Sequence, residues 1–556
     1  MSRAPEDALS KEVSRRRSRG DVETDVDVAI VGCGIGGLVA AGYLAQAGLK
    51  VAAFDSHYVA GGGATQFARA GALKEPDGTV RPGHYHFDVG LHYIGDCVDG
   101  MIPRILRGLG IDQRFVPMDP DGFDTLVFPD FEFRIPVGID AYRERLVAAF
   151  PSERRGIDRY VKLLHDVNRL LHAGEHRAGK AKMAWTALRS LTAIRAREQT
   201  IGEFLATCTR DPRLIAVLLG QSGDYGLPPS EVSALLHAGL SVHYFRGAYY
   251  PEGGGQVLAD RIAERIEAAG SHIHLRCGIE KITVANGRAV GLRTEERRGT
   301  AYDVRARVVL SNADLKKTLL ELVGPEHLPS EMATRARQFT MGGAIFMTFL
   351  GVRGDLRDLG FRNTNYWCFD DYDMERLYQE NRHAGEVKAA AAYITSASLK
   401  DPGSLIHAPE GVQTLEIMSL VPGEARRWGV QEGDVDGWGY KRDGAYKELK
   451  QRIEDSLVDR AEALFPGVKD RIVYRESATP VSHSRFTRAS DGTGYGLAAT
   501  PAQFGKGRPG YRGPVPGLYL CGGSTRSGHG ILGAMMSGYN AARRIAQELD
   551  VKVADA

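Results

Sequence analysis

The sequence is short of cysteine and has no cysteine pair. Its six thiols (Cys33, Cys97, Cys208, Cys277, Cys368, Cys521) are scattered over 556 residues with no Cys-x-x-Cys. That excludes a disulfide frame and points to a reducing compartment. Long apolar runs are missing as well, since none approaches the ~20 residues of a membrane span. Net charge is nearly absent at +2, which argues against a broad nucleic-acid surface. Residues 1–24 are charged and lack an apolar core, so they read as a disordered tail rather than an export signal. The resulting expectation is a cytoplasmic protein.

What the sequence does have is glycine, 67 residues of it, clustered towards both ends. Without accompanying serine this fits backbone wrapped around a large ligand better than flexible linkers. The first cluster sits in "DVDVAIVGCGIGGLVAAGYLAQAGLKVAAFD". Val26 to Val31 read as a buried strand, Gly32-x-Gly34-x-x-Gly37 as a turn, and the next residues to about Ala47 as a helix closed by Gly48. A second strand then ends at Asp55, 21 residues after Gly34. In this arrangement Gly32 allows the tight turn, Gly34 lets pyrophosphate approach the backbone, and Gly37 brings helix close to strand. The helix N-terminus offers free N–H groups and a positive dipole end, and Asp55 accepts ribose hydroxyls. The motif alone does not choose between FAD and NAD.

Further blocks bear on that choice. A second glycine turn, Gly61-Gly62-Gly63, follows Asp55 where nicotinamide enzymes usually continue into another βα unit. "YYPEGGGQVLADRIAERIEAAG" reads as a glycine turn and an amphipathic helix, and Asn286-Gly287 as a hairpin turn. A strand from Arg305 to Leu310 ends in "SNAD". Near the end, Leu518 to Cys521 reads as a strand that runs through Gly522-Gly523 into a small-residue helix. The N-terminus of that helix would favour a negatively charged reduced ring.

Together these blocks resemble the FAD-dependent amine oxidase and phytoene desaturase superfamily. Within it they resemble the carotenoid desaturase, carotenoid isomerase and retinol saturase group, with "SLKDPGSLIHAP" among the blocks that carry the resemblance, and "FDVGLHYIG" points to the retinol saturase branch. Two departures stand out: Asp55 where the family usually has Glu, and Ala60-Gly61-Gly62-Gly63 where it usually has Pro-Gly-Gly-Cys. The resemblance implies an α/β fold, with a discontinuous Rossmann-type FAD-binding domain like that of glutathione reductase and an inserted α+β substrate-binding domain. The expected FAD domain is 25–114, 245–314 and 476–556, and the substrate domain 115–244 and 315–475. Cofactor contacts are expected at Gly32, Gly34, Ile35, Gly36, Gly37, Asp55, Ser56, Gly61, Gly62, Gly63 and Ala64. They are also expected at Gly90, Leu91, His92, Ile279, Gly522, Gly523, Gly530, Ile531 and Ala534. Only one complete dinucleotide motif is visible, so NAD(P)H or another external donor would supply electrons without a tightly held site of its own.

"HYHFDVGLHYIGD" (84–96) carries three histidines, two of them sharing one strand face and the third lying beyond a glycine. No Cys or carboxylate cluster with ligand spacing accompanies them, so no metal is expected. Proton-handling candidates are His92, Tyr93, Tyr495 and His529, each of which has a packing role as its alternative. Arg526 is a candidate for the flavin or its phosphates. The segment 176–199 is basic (Arg177, Lys180, Lys182, Arg189, Arg195, Arg197), with Trp185, Leu188, Leu191 and Ile194 on one helical side. It reads either as a solvated helix packed on its own domain or as a peripheral membrane contact. The leading expectation is an FAD-dependent oxidoreductase acting on carbon–carbon double bonds of a hydrophobic conjugated polyene, by saturation, desaturation or isomerisation. The competing ones are an amine or amino-acid oxidase of the same fold, and a non-catalytic flavin- or lipid-binding protein. Nothing in the sequence fixes the oligomeric state.

Overall fold

Two seven-stranded sheets organise the computed structural model, which describes residues 22–75, 77–176, 179–383, 386–389, 391–437 and 439–556. Most of the predicted tail lies outside the described residues. The first sheet is centred on Asp25–Val31, which pairs in parallel with Val51–Asp55 on one side and Asp303–Ser311 on the other. His272–Leu275 and Leu518–Leu520 extend it in parallel. Parallel strands need a crossover, and the helix Ile35–Gln46 provides the first. Every residue of that helix from Ile35 to Ala45 is buried, because the sheet, the helix Gln256–Ala268 and the C-terminal helix Gly530–Glu548 all pack on it. A helix covered on all sides cannot show an amphipathic stripe, so its signal in the sequence is small residues. A Cβ placed on Gly538 would fall 2.0 Å from the Gly36 carbonyl oxygen, so the two helices cross only because glycine is there. The sheet ends in the antiparallel hairpin Ile279–Ala285/Arg288–Thr294, turned by Asn286 (φ 50°) and Gly287 (φ 72°). Two successive positive φ values are what a tight hairpin turn requires.

The second sheet is mostly antiparallel and draws on distant parts of the chain. Its strands are Asp124–Val127, Glu132–Ile135, Ala344–Arg353, Asn365–Cys368, Ala392–Thr395, Val412–Val421 and Ile472–Ala478. "TLVFPDFEFRIPVG" forms the expected hairpin. Helices between 139 and 245 cover one end, with Pro151 and Pro212 at helix starts, where proline's fixed φ is accommodated. Strand Ile472–Ala478 runs across the expected boundary at 475/476, and Phe115–Pro117 pairs with Ala248–Pro251 across the one at 114/115. The linking ribbon Gln66–Lys74/Val80–Asp88 packs on the second sheet. It delivers the segment after Asp88 to the space between the two sheets.

Candidate active site

That space is a cavity of about 1650 Å³. Small-molecule pockets typically span roughly 300–1,000 Å³, so this one has room for two ligands side by side. Its glycine-rich end is built by the first strand–turn–helix. Gly32 N–H donates to Phe54 O (2.7 Å), Gly61 N–H to Cys33 O (2.8 Å) and Ile35 N–H to Gly61 O (3.2 Å). The two glycine turns are thereby laced together below the helix N-terminus. Asp55 Oδ2 accepts Cys33 N–H (2.7 Å) and Oδ1 accepts His57 N–H (2.8 Å), fixing the carboxylate at the cavity wall. A Cβ on Gly34 would come within 2.7 Å of Asn312 Nδ2, and one on Gly36 within 2.8 Å of Ala534 O. Asn312, from "SNAD", is thus the wedge that holds the first turn, the third strand and the last loop in contact, a role the sequence reading did not assign.

Most of the expected cofactor residues do line this cavity. Gly32, Gly34, Ile35, Gly36, Asp55, Ser56, Gly61, Gly62, Gly63, Ala64, Gly90, His92, Ile279, Gly522, Gly523, Gly530, Ile531 and Ala534 are all on its wall, as is Arg526. Gly37 and Leu91 are not. A Cβ on Gly37 would sit 2.2 Å from Gly32 O, so its work is helix-to-strand packing, and Leu91 is fully buried in the apolar core. The C-terminal helix begins at Gly530 with no side-chain cap, leaving its positive end towards the cavity. His92 Nε2 and His529 Nδ1 are buried on the cavity wall without a hydrogen-bond partner among the described residues. An unmet buried polar atom costs about 1–3 kcal/mol, so a ligand that meets them is favoured. Glycine cradle, an acid at the cavity wall, two helix N-termini and unmet ring nitrogens all fit a flavin dinucleotide.

Three of the four proton-handling candidates converge on one short segment. Tyr93 Oη is 2.9 Å from Asp224 Oδ2, Tyr495 O–H donates to Gly223 O (2.6 Å), and His529 Nε2 is 3.2 Å from Asp224 O. Burial pushes the phenols of Tyr93 and Tyr495 well above their ordinary value, and Asp124 and Asp224 respectively push them further. Burial, helped by the Arg508 charge, pushes His529 down to about 3, so the ring is neutral at pH 7. The fourth candidate, His92, sits apart, with Nδ1 2.9 Å from Glu416 Oε2 in a contact too poorly aligned for a hydrogen bond.

Glu416 belongs to a buried ionic cluster that the sequence reading missed. Asp88 accepts from Tyr250 O–H and from Gly255 N–H (3.1 Å), and its own N–H donates to Glu416 Oε1 (3.0 Å). Burial, then repulsion from Glu416, pushes the Asp88 carboxyl upwards. Lys400 donates to His92 O, Thr395 Oγ1 and Asn365 Oδ1. Burial lowers it to about 8 despite the opposing pull of Glu416, Asp88 and Asp124. Asp88, His92 and Glu416 bring one ligand atom each within 4.8 Å of one another, but protein donors already occupy both Asp88 oxygens. His84, from the histidine string, is exposed and away from this group.

Apolar side chains, including Leu170, Leu171, Leu236, Leu240, Trp367 and Phe369, make up much of the remaining cavity wall. Helix Arg154–Glu175, which supplies Leu170 and Leu171, packs on helices Lys180–Leu188 and Leu191–Arg195. There Trp185 and Leu188 are each 60% exposed, and Leu191 and Ile194 are also exposed. The apolar side of this basic segment is therefore not packed on its own domain; Arg177 lies outside the described residues. Among the described residues no helix is long and apolar enough to cross a membrane.

Comparison with known proteins agrees with this geometry. Residues 35–397 and 443–546 match the flavin containing amine oxidoreductase family. All-trans-retinol 13,14-reductase of Danio rerio is 28% identical, over 85% of this chain and 78% of its own. A chloroplastic prolycopene isomerase of Arabidopsis thaliana is 24% identical, over 95% and 84%. Among solved structures, an oxidoreductase from Methanosarcina mazei superposes with a TM-score of 0.60 at 16% identity, covering 92% of this chain and 99% of that one. Cyclohexylamine oxidase from Brevibacterium oxydans IH-35A gives 0.56 at 17%, covering 95% and 100%. With the family match spanning most of the sequence, the chain belongs to the flavin-containing amine oxidoreductase family.

Proposed function

We propose that this protein is an FAD-dependent oxidoreductase acting on carbon–carbon double bonds of a hydrophobic conjugated polyene. The observation that carries the reading is a cavity that is glycine-lined at one end and mostly apolar over the rest, with volume for a dinucleotide and a second, elongated ligand. Its relatives named for retinol reduction and prolycopene isomerisation support the same substrate class. The chain from 25–114, 245–314 and 476–556, apart from the end of strand Ile472–Ala478, serves as the cofactor domain, and the intervening segments carry the substrate.

In this reading Gly32, Gly34 and Gly36 let the pyrophosphate approach the first helix, whose N-terminus stabilises the anion. Asp55 accepts the ribose hydroxyls. FAD supplies hydride transfer at its ring nitrogen N5. The Gly530 helix end, capless and positive, stabilises negative charge on the reduced ring. The leucine and aromatic wall excludes water and aligns the polyene by burying it, at about 25 cal/mol per Å² of apolar surface. We further propose that Trp185, Leu188, Leu191 and Ile194, flanked by Lys180, Lys182, Arg189 and Arg195, rest on an anionic lipid surface next to the cavity wall at Leu170 and Leu171. An external donor, NAD(P)H or another, would supply the electrons.

The test is turnover by purified, flavin-loaded protein across retinoids, carotenoids and primary amines. The expected outcome is a loss or shift of polyene absorbance. Hydrogen peroxide release with amines and an unchanged polyene spectrum would overturn the reading in favour of an amine oxidase.

A further inference from the structure

Tyr93 has one phenolic proton and two carboxylate neighbours. Its oxygen is 2.9 Å from Asp224 Oδ2 and 3.1 Å from Asp124 Oδ2. One proton cannot serve both contacts, so one of the two carboxyls carries a proton of its own. Asp124 is the one equipped to be the anion, because Asn365 Nδ2 donates to its Oδ1 (2.9 Å) and Gln221 Nε2 to its Oδ2 (2.7 Å). Asp224 has Tyr93 alone among the described residues, and it lines the cavity while Asp124 is fully buried behind it.

On the reading of function above, we propose that Asp224 is the catalytic acid, handing a proton from the cavity wall to one carbon of the substrate double bond while Tyr93 and Asp124 hold it in place. The reaction direction this assigns is reduction, because desaturation would need a base at that position. In the step, the Asp224 O–H bond breaks as a C–H bond forms at one carbon. A hydride, which a bound reduced flavin would supply, forms the C–H bond at the neighbouring carbon, and the π bond is consumed. The two electrons that the substrate gains would come from that flavin. Asp224 is left as a carboxylate that accepts the Tyr93 O–H until a solvent proton replaces the one it gave.

The surroundings agree with this assignment. Asp124, Tyr93, Tyr244, Tyr378, Tyr393 and Tyr495 face Asp224 from their separate elements, and His529 is neutral. Lys400 reaches only the Asn365 side of Asp124. Arg508 acts on His529 rather than on the Asp224 carboxyl, and burial and then Asp124 push that carboxyl well above the carboxylate range, with the Tyr93 hydrogen bond opposing them. Tyr93 is a positioning residue: it aims the carboxyl and receives its charge. Tyr495 and His529 hold the backbone of residues 223–224 from the other side.

The experiment uses the flavin-loaded full chain as wild type, Asp224→Asn and Tyr93→Phe, with two readouts. The first is the infrared band of a protonated carboxyl, followed through a pH titration. Taken as the wild-type minus Asp224→Asn difference, which cancels any contribution from the buried Asp88 carboxyl, it is expected at pH 7 in wild type and titrating at higher pH in Tyr93→Phe, since losing the phenol removes the interaction that favours the carboxylate. The second is single-turnover reduction of a retinoid, expected to fall about 100-fold or more in Asp224→Asn with flavin content retained. Wild-type rates in Asp224→Asn, or a difference spectrum from which the band is missing, would overturn the proposal. If Asp224→Asn fails to fold, the Tyr93→Phe titration decides in its place: an unmoved midpoint overturns the assignment. If wild type reduces no polyene, the reading of function falls, and the infrared band still decides whether Asp224 carries the proton.

Discussion

The dinucleotide cradle and the ionic wall opposite it are built by different rules. The cradle is local. Strand, turn, helix and second strand occupy Asp25 to Asp55 without interruption, and Gly32, Gly34 and Gly37 answer to contacts within that stretch or with Asn312 at the end of a neighbouring strand. The wall is assembled from afar. Asp88, Asp224, Asp124, Lys400 and Glu416 come from five separate segments, joined by hydrogen bonds spanning up to 328 residues of chain. The cradle's side chains are small and replaceable only by nothing, whereas the wall's are charged and buried, so each depends on partners elsewhere. Damage to the cradle should therefore act through sterics and cofactor retention, and damage to the wall through uncompensated charge.

That contrast can be broken by substitution, and the largest effect is expected at the wall. Lys400→Met leaves Asp88 and Glu416 facing each other without their cation. Removing one member of a buried ionic group costs about 3–5 kcal/mol, so thermal melting should show a steep loss of stability. A small loss would mean the cluster is held by Tyr250 and Gly255 alone. Next comes Gly37→Ala, whose methyl meets the Gly32 carbonyl. Overpacking of this kind costs about 1–3 kcal/mol, and the purified protein should carry less flavin per chain than wild type.

Histidine burial offers a pH test behind the wall. His237 is buried between Tyr160 O–H (2.8 Å) and Tyr225 O–H (3.1 Å), and burial lowers it to about 4. Its folded value is depressed below the unfolded ~6.5, so its contribution is complete above that pH and is lost as pH falls towards 4. The shift is worth about 3 kcal/mol in all. His237→Gln should flatten the acid limb of the stability profile between those values, and an unchanged limb would contradict the assignment. The smallest stability effect is expected from Trp185→Asp with Leu188→Asp, within about 0.5 kcal/mol for exposed sites. Binding to anionic vesicles should nevertheless fall sharply.

The same local-versus-distant distinction explains what the sequence reveals. Gly32 to Asp55 could be placed residue by residue, because the motif's spacing encodes its own geometry. Asn286-Gly287 did the same for the hairpin. The string 84–96 could be assigned to the cofactor side, yet its two key partners, Asp224 and Glu416, carry no local pattern. Asp224 is a single acid between a glycine and a tyrosine, and nothing short of tertiary structure brings Tyr93, Tyr495 and His529 around it. Gly37 and Leu91 show the reverse limit, as both belong to motif blocks but face the core. Strand Ile472–Ala478, cut by the expected boundary, belongs to the second sheet because its partner is Met347–Val352, more than a hundred residues earlier.

The most direct measurement is an anaerobic mixing experiment in which reduced, flavin-loaded protein meets a conjugated polyene and both absorbances are followed together. The account predicts that polyene absorbance disappears as oxidised-flavin absorbance returns, in equal amounts and at equal rates. Flavin that stays reduced while the polyene spectrum is unchanged, or a polyene that shifts without any return of oxidised flavin, would contradict it.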